Sequence, residues 1–156
     1  MGTGVLIRKA VLADIPEILH HRLAMFEDMG VGDAVSLAPM LAATEMYLHE
    51  AMPQDAFHAW FAIAPEGHIA GGCAVATSFW PPHPWDTRSS RAYILNLYVY
   101  PEQRRQGVAR LLIQTTLDWC KAEGFGTVSL HASKLGQELY ESFGFAQTNE
   151  MRLTLK

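Results

Sequence analysis

The stretch from Tyr93 to Glu123 constrains the fold more than any other part of the chain. Tyr93-Ile-Leu-Asn-Leu-Tyr-Val-Tyr is strongly apolar and closed by Pro101, so it reads as a β-strand over 93–100. A short basic turn containing Gly107 follows, and a helix begins at once over 108–123. On that helix Leu111, Leu112, Thr115, Trp119 and Ala122 form one apolar face, and Ile113, Leu117 and Cys120 form a second. Only Arg110, Gln114, Asp118 and Lys121 make a polar stripe, so burial on most sides is expected. A strand turning sharply into such a helix aims several unpaired backbone amides at one point, on the positive end of the helix dipole. Arg104, Arg105 and Arg110 add charge there, and Gly107 lets an anion approach the backbone closely. The chemistry favoured is binding of a pyrophosphate. Two familiar phosphate loops are excluded: there is no G-x-x-x-x-G-K-[ST], and Gly107 stands alone where a dinucleotide fold has G-x-G-x-x-G. Taken by itself, the segment serves equally as an ordinary strand–turn–helix junction with solvated arginines.

Short elements surround this unit. Val5-Leu6-Ile7 opens a strand, and Asp14 and Glu17 have the spacing of a capping box. Ile15, Ile18, Leu19, Leu23, Phe26 and Met29 then recur at helical spacing until Gly30. A second helix after Ser36 carries Leu37, Met40, Leu41, Thr44 and Leu48 on one face and ends before Pro53. Strands over 57–63 and 69–79 flank the turn Pro65-Glu66-Gly67, and Gly71-Gly72 weakens the second strand or marks a bulge. Pro81-Pro82-His83-Pro84-Trp85-Asp86 forms the longest loop. A strand over 128–132, a helix over 135–143 and a terminal strand over 151–155 complete the chain. The order β-α-α-β-β-β-α-β-α-β predicts an α/β fold, one domain over 1–156 with a mixed sheet and helices on both faces.

Composition narrows the functional classes. The 156 residues are 49% hydrophobic, which rules out disorder and supports a sizeable core. No apolar run reaches the ~20 residues of a membrane helix, and MGTGVLIRKA lacks a signal-peptide apolar region. Cys73 and Cys120 read as buried thiols, and a cytoplasmic location without membrane association is expected. No Cys/His cluster offers a metal site. The net charge of −4 argues against a nucleic-acid binder built on the three arginines, which gather at one helix start instead of forming a stripe.

Two motifs give the chain a resemblance. Leu97-Tyr98-Val99-Tyr100-Pro101 followed by Arg104-Arg105-Gln106-Gly107-Val108-Ala109 fits an L-x-V-x-P strand end and an R/Q-x-x-G-x-G/A signature. Leu139-Tyr140-Glu141-Ser142-Phe143-Gly144-Phe145 supplies a tyrosine and a Gly-Phe pair after the next strand. In both, the sequence resembles the GCN5-related N-acetyltransferase (GNAT) family, over its element order and most specifically over 93–155. The resemblance implies a GNAT-like fold with a splayed sheet and acetyl-CoA as cosubstrate, with no metal. It implies that backbone groups of Leu97 and Val99 bond the pantetheine arm like an added strand, the Leu97 amide facing the thioester carbonyl as oxyanion donor. It further implies that the turn at Arg104 opens a cradle for the pyrophosphate, made by the amides of Arg105, Gln106, Gly107, Val108, Ala109 and Arg110. Arg105 stands where the family commonly has glycine. Tyr140 is the implied general acid for the CoA thiolate. Helical spacing brings Ser133, where the family often has asparagine, to the same face as Tyr140. Ser133 reads equally as an N-cap.

The implied reaction is acetyl transfer to a primary amine by direct attack in a ternary complex. A non-catalytic acyl-CoA sensor is the alternative, because no general base declares itself. Glu27, Glu45, His83 and His131 are candidates, each with a bland reading as a solvated or core residue. The first two helices and the loop before the fourth strand are expected to form the acceptor wall, with Arg22, Phe26, Met29 and Trp85 as candidate contacts. Arg22 lies on or beside a buried face, where a charge is costly without a partner; it either binds an acceptor carboxylate or phosphate, or snorkels to a local glutamate. The acceptor is a small molecule or a peptide, and a homodimer is compatible with the family.

Overall fold

The structure, a computed structural model, describes residues 4–156. Five strands form one sheet in chain order: β1 (Leu6–Lys9), β2 (Phe57–Ile63), β3 (Ile69–Phe79), β4 (Ser90–Val99) and β5 (Val128–Leu130). The first four are antiparallel neighbours, and β5 joins β4 in parallel, so the sheet is mixed. Helices α1 (Ile15–Asp28) and α2 (Ala38–Ala51) cover one face, while α3 (Val108–Ala122) and α4 (Gln137–Ser142) pack on the other. No helix among the described residues is long and apolar enough to cross a membrane.

The two faces are written into β2. Phe57, Ala59 and Phe61 enter the core under α1 and α2, while Trp60 and Ala62 enter the core under α3. Every residue from Phe57 to Ala62 is therefore buried, as expected of a strand covered on both sides. Helix α3 buries Val108, Leu112, Ile113, Thr116 and Cys120. Thr116 donates to the Leu112 carbonyl at 2.9 Å, which lets a hydroxyl lie fully inside. Cys73 and Cys120 are both buried and free, and burial pushes their thiols up to about 12 and about 11.

Two local expectations are corrected, and two are made specific. Asp14 does not cap α1 through its side chain; its carboxylate accepts the Val11 amide at 2.7 Å and pairs with Arg8 at 2.9 Å, which holds it below the usual carboxylate range. Gly71-Gly72 does stand beside a bulge: between Ile69 and Gly71, β3 carries one residue more than β2, where the register shifts at Ala62/Ile63. A Cβ on Gly72 would stand 2.8 Å from Nδ1 of His21, and one on Gly71 would stand 2.4 Å from the Tyr98 carbonyl oxygen, so the glycines make room for α1 and β4. The Pro-rich loop contains a tight turn in which His83 and Asp86 exchange backbone hydrogen bonds. The Asp86 carboxylate then accepts the Gly126 amide at 2.8 Å, tying the loop to the segment before β5. Lastly, 151–155 is not a strand: it joins no ladder among the described residues, and Met151, Leu153 and Leu155 are exposed. Its alternation satisfies the local pattern, but a strand also needs a ladder partner, and β5 makes its ladder with β4.

Candidate functional site

A second bulge lies in β4. Between Gly72 and Ala74 of β3 the partner moves from Tyr98 to Leu95, so β4 carries one extra residue, and Asn96 has a left-handed φ of 61°. Leu95 and Asn96 consequently both face α1 and α2, which returns Leu97 and Val99 to the α3 side and Tyr98 to His21. The Tyr100 amide donates to Ala70 of β3, so alternation turns the backbone groups of Leu97 and Val99 away from β3. On that side β5 has already ended: it pairs β4 only from Ala92 to Ile94. A splay opens there, beside the start of α3.

Pro101–Gln103 forms one 3-10 turn, after which Arg105 and Gly107 both take left-handed φ values, 61° and 82°. Left-handed residues alternating with others curl successive amides into an anion-binding nest. Gly107 is the N-cap of α3 and has no side chain to cap it, and the first helical bond runs from the Leu111 amide to the Gly107 carbonyl at 3.0 Å. The amides of Val108, Ala109 and Arg110 therefore lack intrahelical partners. Nothing lies within 4 Å of where a Gly107 Cβ would be, so the approach is open.

The three arginines part ways. Arg104 donates from Nε to the Val99 carbonyl at 2.8 Å and from Nη2 to Asp28 at 2.7 Å, so its guanidinium staples the turn to β4 and to the end of α1. Arg110 donates to the Ser142 hydroxyl at 3.0 Å, and Gln106 donates to the Glu102 carbonyl at 3.1 Å. Arg105 forms no salt bridge among the described residues. Tyr140 is buried in the cluster that contains Val99 and Val108, against which Leu97 and Ala109 pack. Burial raises its phenol above the ordinary tyrosine value. Tyr140 and Ser133 meet at Gly136, whose Cβ would lie 3.1 Å from the tyrosine ring and 3.3 Å from the serine oxygen. The Ser133 hydroxyl accepts the Gly136 amide at 3.2 Å, a turn-forming contact one step before α4.

A cavity of about 290 Å³ opens between α1, α2 and β4, lined by Ile18, Arg22, Met40, Ala43, Thr44, Tyr47, Phe57, Leu95 and Asn96. Arg22 thus faces the expected acceptor wall, and its guanidinium lies 5.1 Å from the Phe26 ring. Burial pulls Arg22 down from its ordinary value and pushes Tyr47 up. Met29 and Trp85 are not brought there: Met29 lies half exposed at the end of α1, and Trp85 lies beside Gly126. None of Glu27, Glu45, His83 and His131 lines this cavity. His131 is exposed and meets Arg152 at 3.1 Å; with Tyr140 it lines a second cavity, of about 360 Å³, at β5.

Sequence reasoning missed Asn96 and the Glu17–His21–Tyr100 cluster built around the buried His21. The signal for Asn96 was a residue tolerant of left-handed backbone inside an otherwise β-forming run. In the cluster Tyr100 donates to Glu17 at 2.7 Å, and Nε2 of His21 lies 2.9 Å from the same oxygen without the alignment of a hydrogen bond.

Comparison with known proteins agrees with this fold. The acetyltransferase (GNAT) family model matches residues 23–145. A GCN5-related N-acetyltransferase from Ralstonia eutropha is 30% identical, with a TM-score of 0.90 over 97% of this chain and 98% of that one. A predicted acetyltransferase from Clostridium acetobutylicum solved with acetyl-CoA is 26% identical, with a TM-score of 0.86 over 97% and 96%. Human N-acetyltransferase 8 is 33% identical over 66 residues, 40% of this chain but only 29% of that relative's length. The chain belongs to the acetyltransferase (GNAT) family.

Proposed function

We propose that the chain transfers the acetyl group of acetyl-CoA to a primary amine by direct attack in a ternary complex, acting as a single unit. The observation carrying this reading is the junction itself, where β4 amides turn toward a splay that leads to the uncapped start of α3. The nest of Arg105 and Gly107 and the amides of Val108, Ala109 and Arg110 fit a pyrophosphate. Backbone groups of Leu97 and Val99 hold the pantetheine arm. The Val99 carbonyl is engaged by Arg104, so its amide is the group left for that task. Acetyl-CoA supplies the activated acyl group. The Leu97 amide donates to the acyl oxygen as charge builds there. Tyr140, kept protonated by its burial, gives its proton to the sulfur as the C–S bond breaks and the N–C bond forms. The acceptor enters through the cavity between α1 and α2, and its surplus proton leaves to water or base.

Release of free thiol from acetyl-CoA in the presence of an amine panel tests the reading. The absence of all four candidate bases from the acceptor cavity favours a second reading, an acyl-CoA sensor. CoA binding without thiol release across the panel selects it.

A further inference from the structure

We propose that the acceptor amine carries a carboxylate, that Arg22 holds that carboxylate, and that the rest of the acceptor is apolar: an amino acid with a hydrophobic side chain. This deepens the transferase reading and rests on it. The argument begins from a cation without an anion. Arg22 forms no salt bridge among the described residues, and its Nε is sealed from solvent with no hydrogen-bond partner. Among the described residues its one hydrogen bond goes to a neutral group, Nη1 reaching the Asn96 side-chain oxygen at 3.5 Å, and the nearby Tyr47 phenol is kept neutral by burial. The Phe26 face offsets part of the desolvation, but a ring supplies neither a charge nor an acceptor for Nε. A half-buried guanidinium so placed lacks what usually compensates it, and the missing partner is an anion in the adjoining cavity.

The lining selects the kind of anion. Arg22 is the only Lys, Arg or His there, so the site matches one negative charge better than the two of a phosphate monoester. A carboxylate also fits the planar fork of a guanidinium with two parallel hydrogen bonds. Two of the three other polar side chains in the lining are committed, which leaves the Tyr47 hydroxyl. Thr44 donates to the Met40 carbonyl at 2.8 Å, and the Asn96 amide donates to the Ile18 carbonyl at 3.1 Å. Ile18, Met40, Phe57 and Leu95 make the remaining wall apolar, which suits a hydrophobic side chain. The volume of about 290 Å³ equals roughly ten waters of liquid, room for one such amino acid. Placement completes the case. Asn96, which touches Arg22, directly precedes Leu97, whose amide serves the acyl oxygen in the proposed reaction. An anchored carboxylate holds an α-amine close to the carbon it attacks.

The test compares matched acceptors by thiol release: leucine, methionine and phenylalanine against their carboxamides, with phosphoethanolamine as a phosphate-bearing amine. The wild type should prefer each acid over its amide by roughly 30-fold or more in kcat/KM. In Arg22→Met that preference should collapse toward unity, and Arg22→Lys should restore part of it. Equal use of acids and amides, preference for phosphoethanolamine, or an acid preference that survives Arg22→Met overturns the proposal. A second arm needs no turnover: calorimetric titration with 3-phenylpropanoate, which lacks the amine. Binding to the wild type and its loss in Arg22→Met support the carboxylate site, and failure to bind the wild type refutes it. If no amine releases thiol but this acid binds through Arg22, the transferase reading falls and the anion site stands.

Discussion

Substitution of Gly107 separates backbone strain from charge at the proposed cofactor cradle. The residue has a φ of 82°, and its Cβ position is empty to 4 Å, so an added Cβ meets no protein atom beyond its chain neighbours and the shared cost is backbone strain. That strain is about 1–2 kcal/mol for any L-residue, partly offset by the smaller freedom of the unfolded chain. Gly107→Ala, Gly107→Gln and Gly107→Glu should therefore melt within a few degrees of one another, each about 2–4 °C below the wild type per kcal/mol lost. Their affinities for CoA should differ. A carboxylate about 5 Å from one phosphate charge is repelled by between about 1 and 3 kcal/mol as the effective dielectric falls from water's toward 20. Two phosphate charges double this, so Gly107→Glu should bind CoA at least about 15-fold more weakly than the isosteric Gly107→Gln. Calorimetric titration reads that gap directly. In 1 M salt the screening length shrinks to about 3 Å, and the gap should narrow. Equal affinity of the Glu and Gln variants at low salt would falsify a pyrophosphate at this turn.

Arg105→Gly should raise the stability by up to about 1 kcal/mol, because glycine relieves the left-handed φ of 61° while adding some unfolded-state entropy; a lower urea midpoint would contradict the strain. Tyr140→Phe should lower kcat about 100-fold with little change in the KM for acetyl-CoA, and an unchanged rate across pH 6–9 would reject Tyr140 as the acid. Burial lowers the affinity of His21 and His58 for protons, so the fold holds them neutral while the unfolded chain charges them below about pH 6.5. Stability should fall as pH drops from about 6.5, and His21→Gln should flatten that slope in urea melts at pH 5 and 7; an unaltered slope would remove His21 from the account.

Much of the fold was legible because its pattern is local. Strands β2 and β3 coincide with the expected 57–63 and 69–79, since alternation and flanking turns mark both ends. Gly30 closes α1 as expected, with a left-handed φ of 72° and the Val31 amide returning to Phe26. What stayed hidden depends on residues distant in sequence. Adjacency groups Arg104 with Arg105, but its partner Asp28 is far upstream, and that pair turns the Arg104 guanidinium into a staple. Arg22 was visible as a charge near an apolar face; that no carboxylate answers it is a fact of three dimensions. Segment 151–155 has the letters of a strand and lacks a neighbour to pair with. Trp85 follows the Pro-rich loop to the far end of β4, because Asp86 anchors that loop beside β5 and Ser90 to Leu97 spans about 23 Å.

The extra residue in β4 has one more consequence. Subtracting Asn96 would turn no other side chain around, because Leu95 would still face α1 and Leu97 would still face α3. The ladder with β3 would run unbroken, and the hydrophobic pattern would read as before. The sheet gains nothing in packing from this residue. It loses regularity, takes on a left-handed backbone, and receives in return a bend beside Arg22 and a strand that can part from its neighbour. Asn96 divides β4 into a half that belongs to the architecture and a half to which the proposed chemistry is assigned.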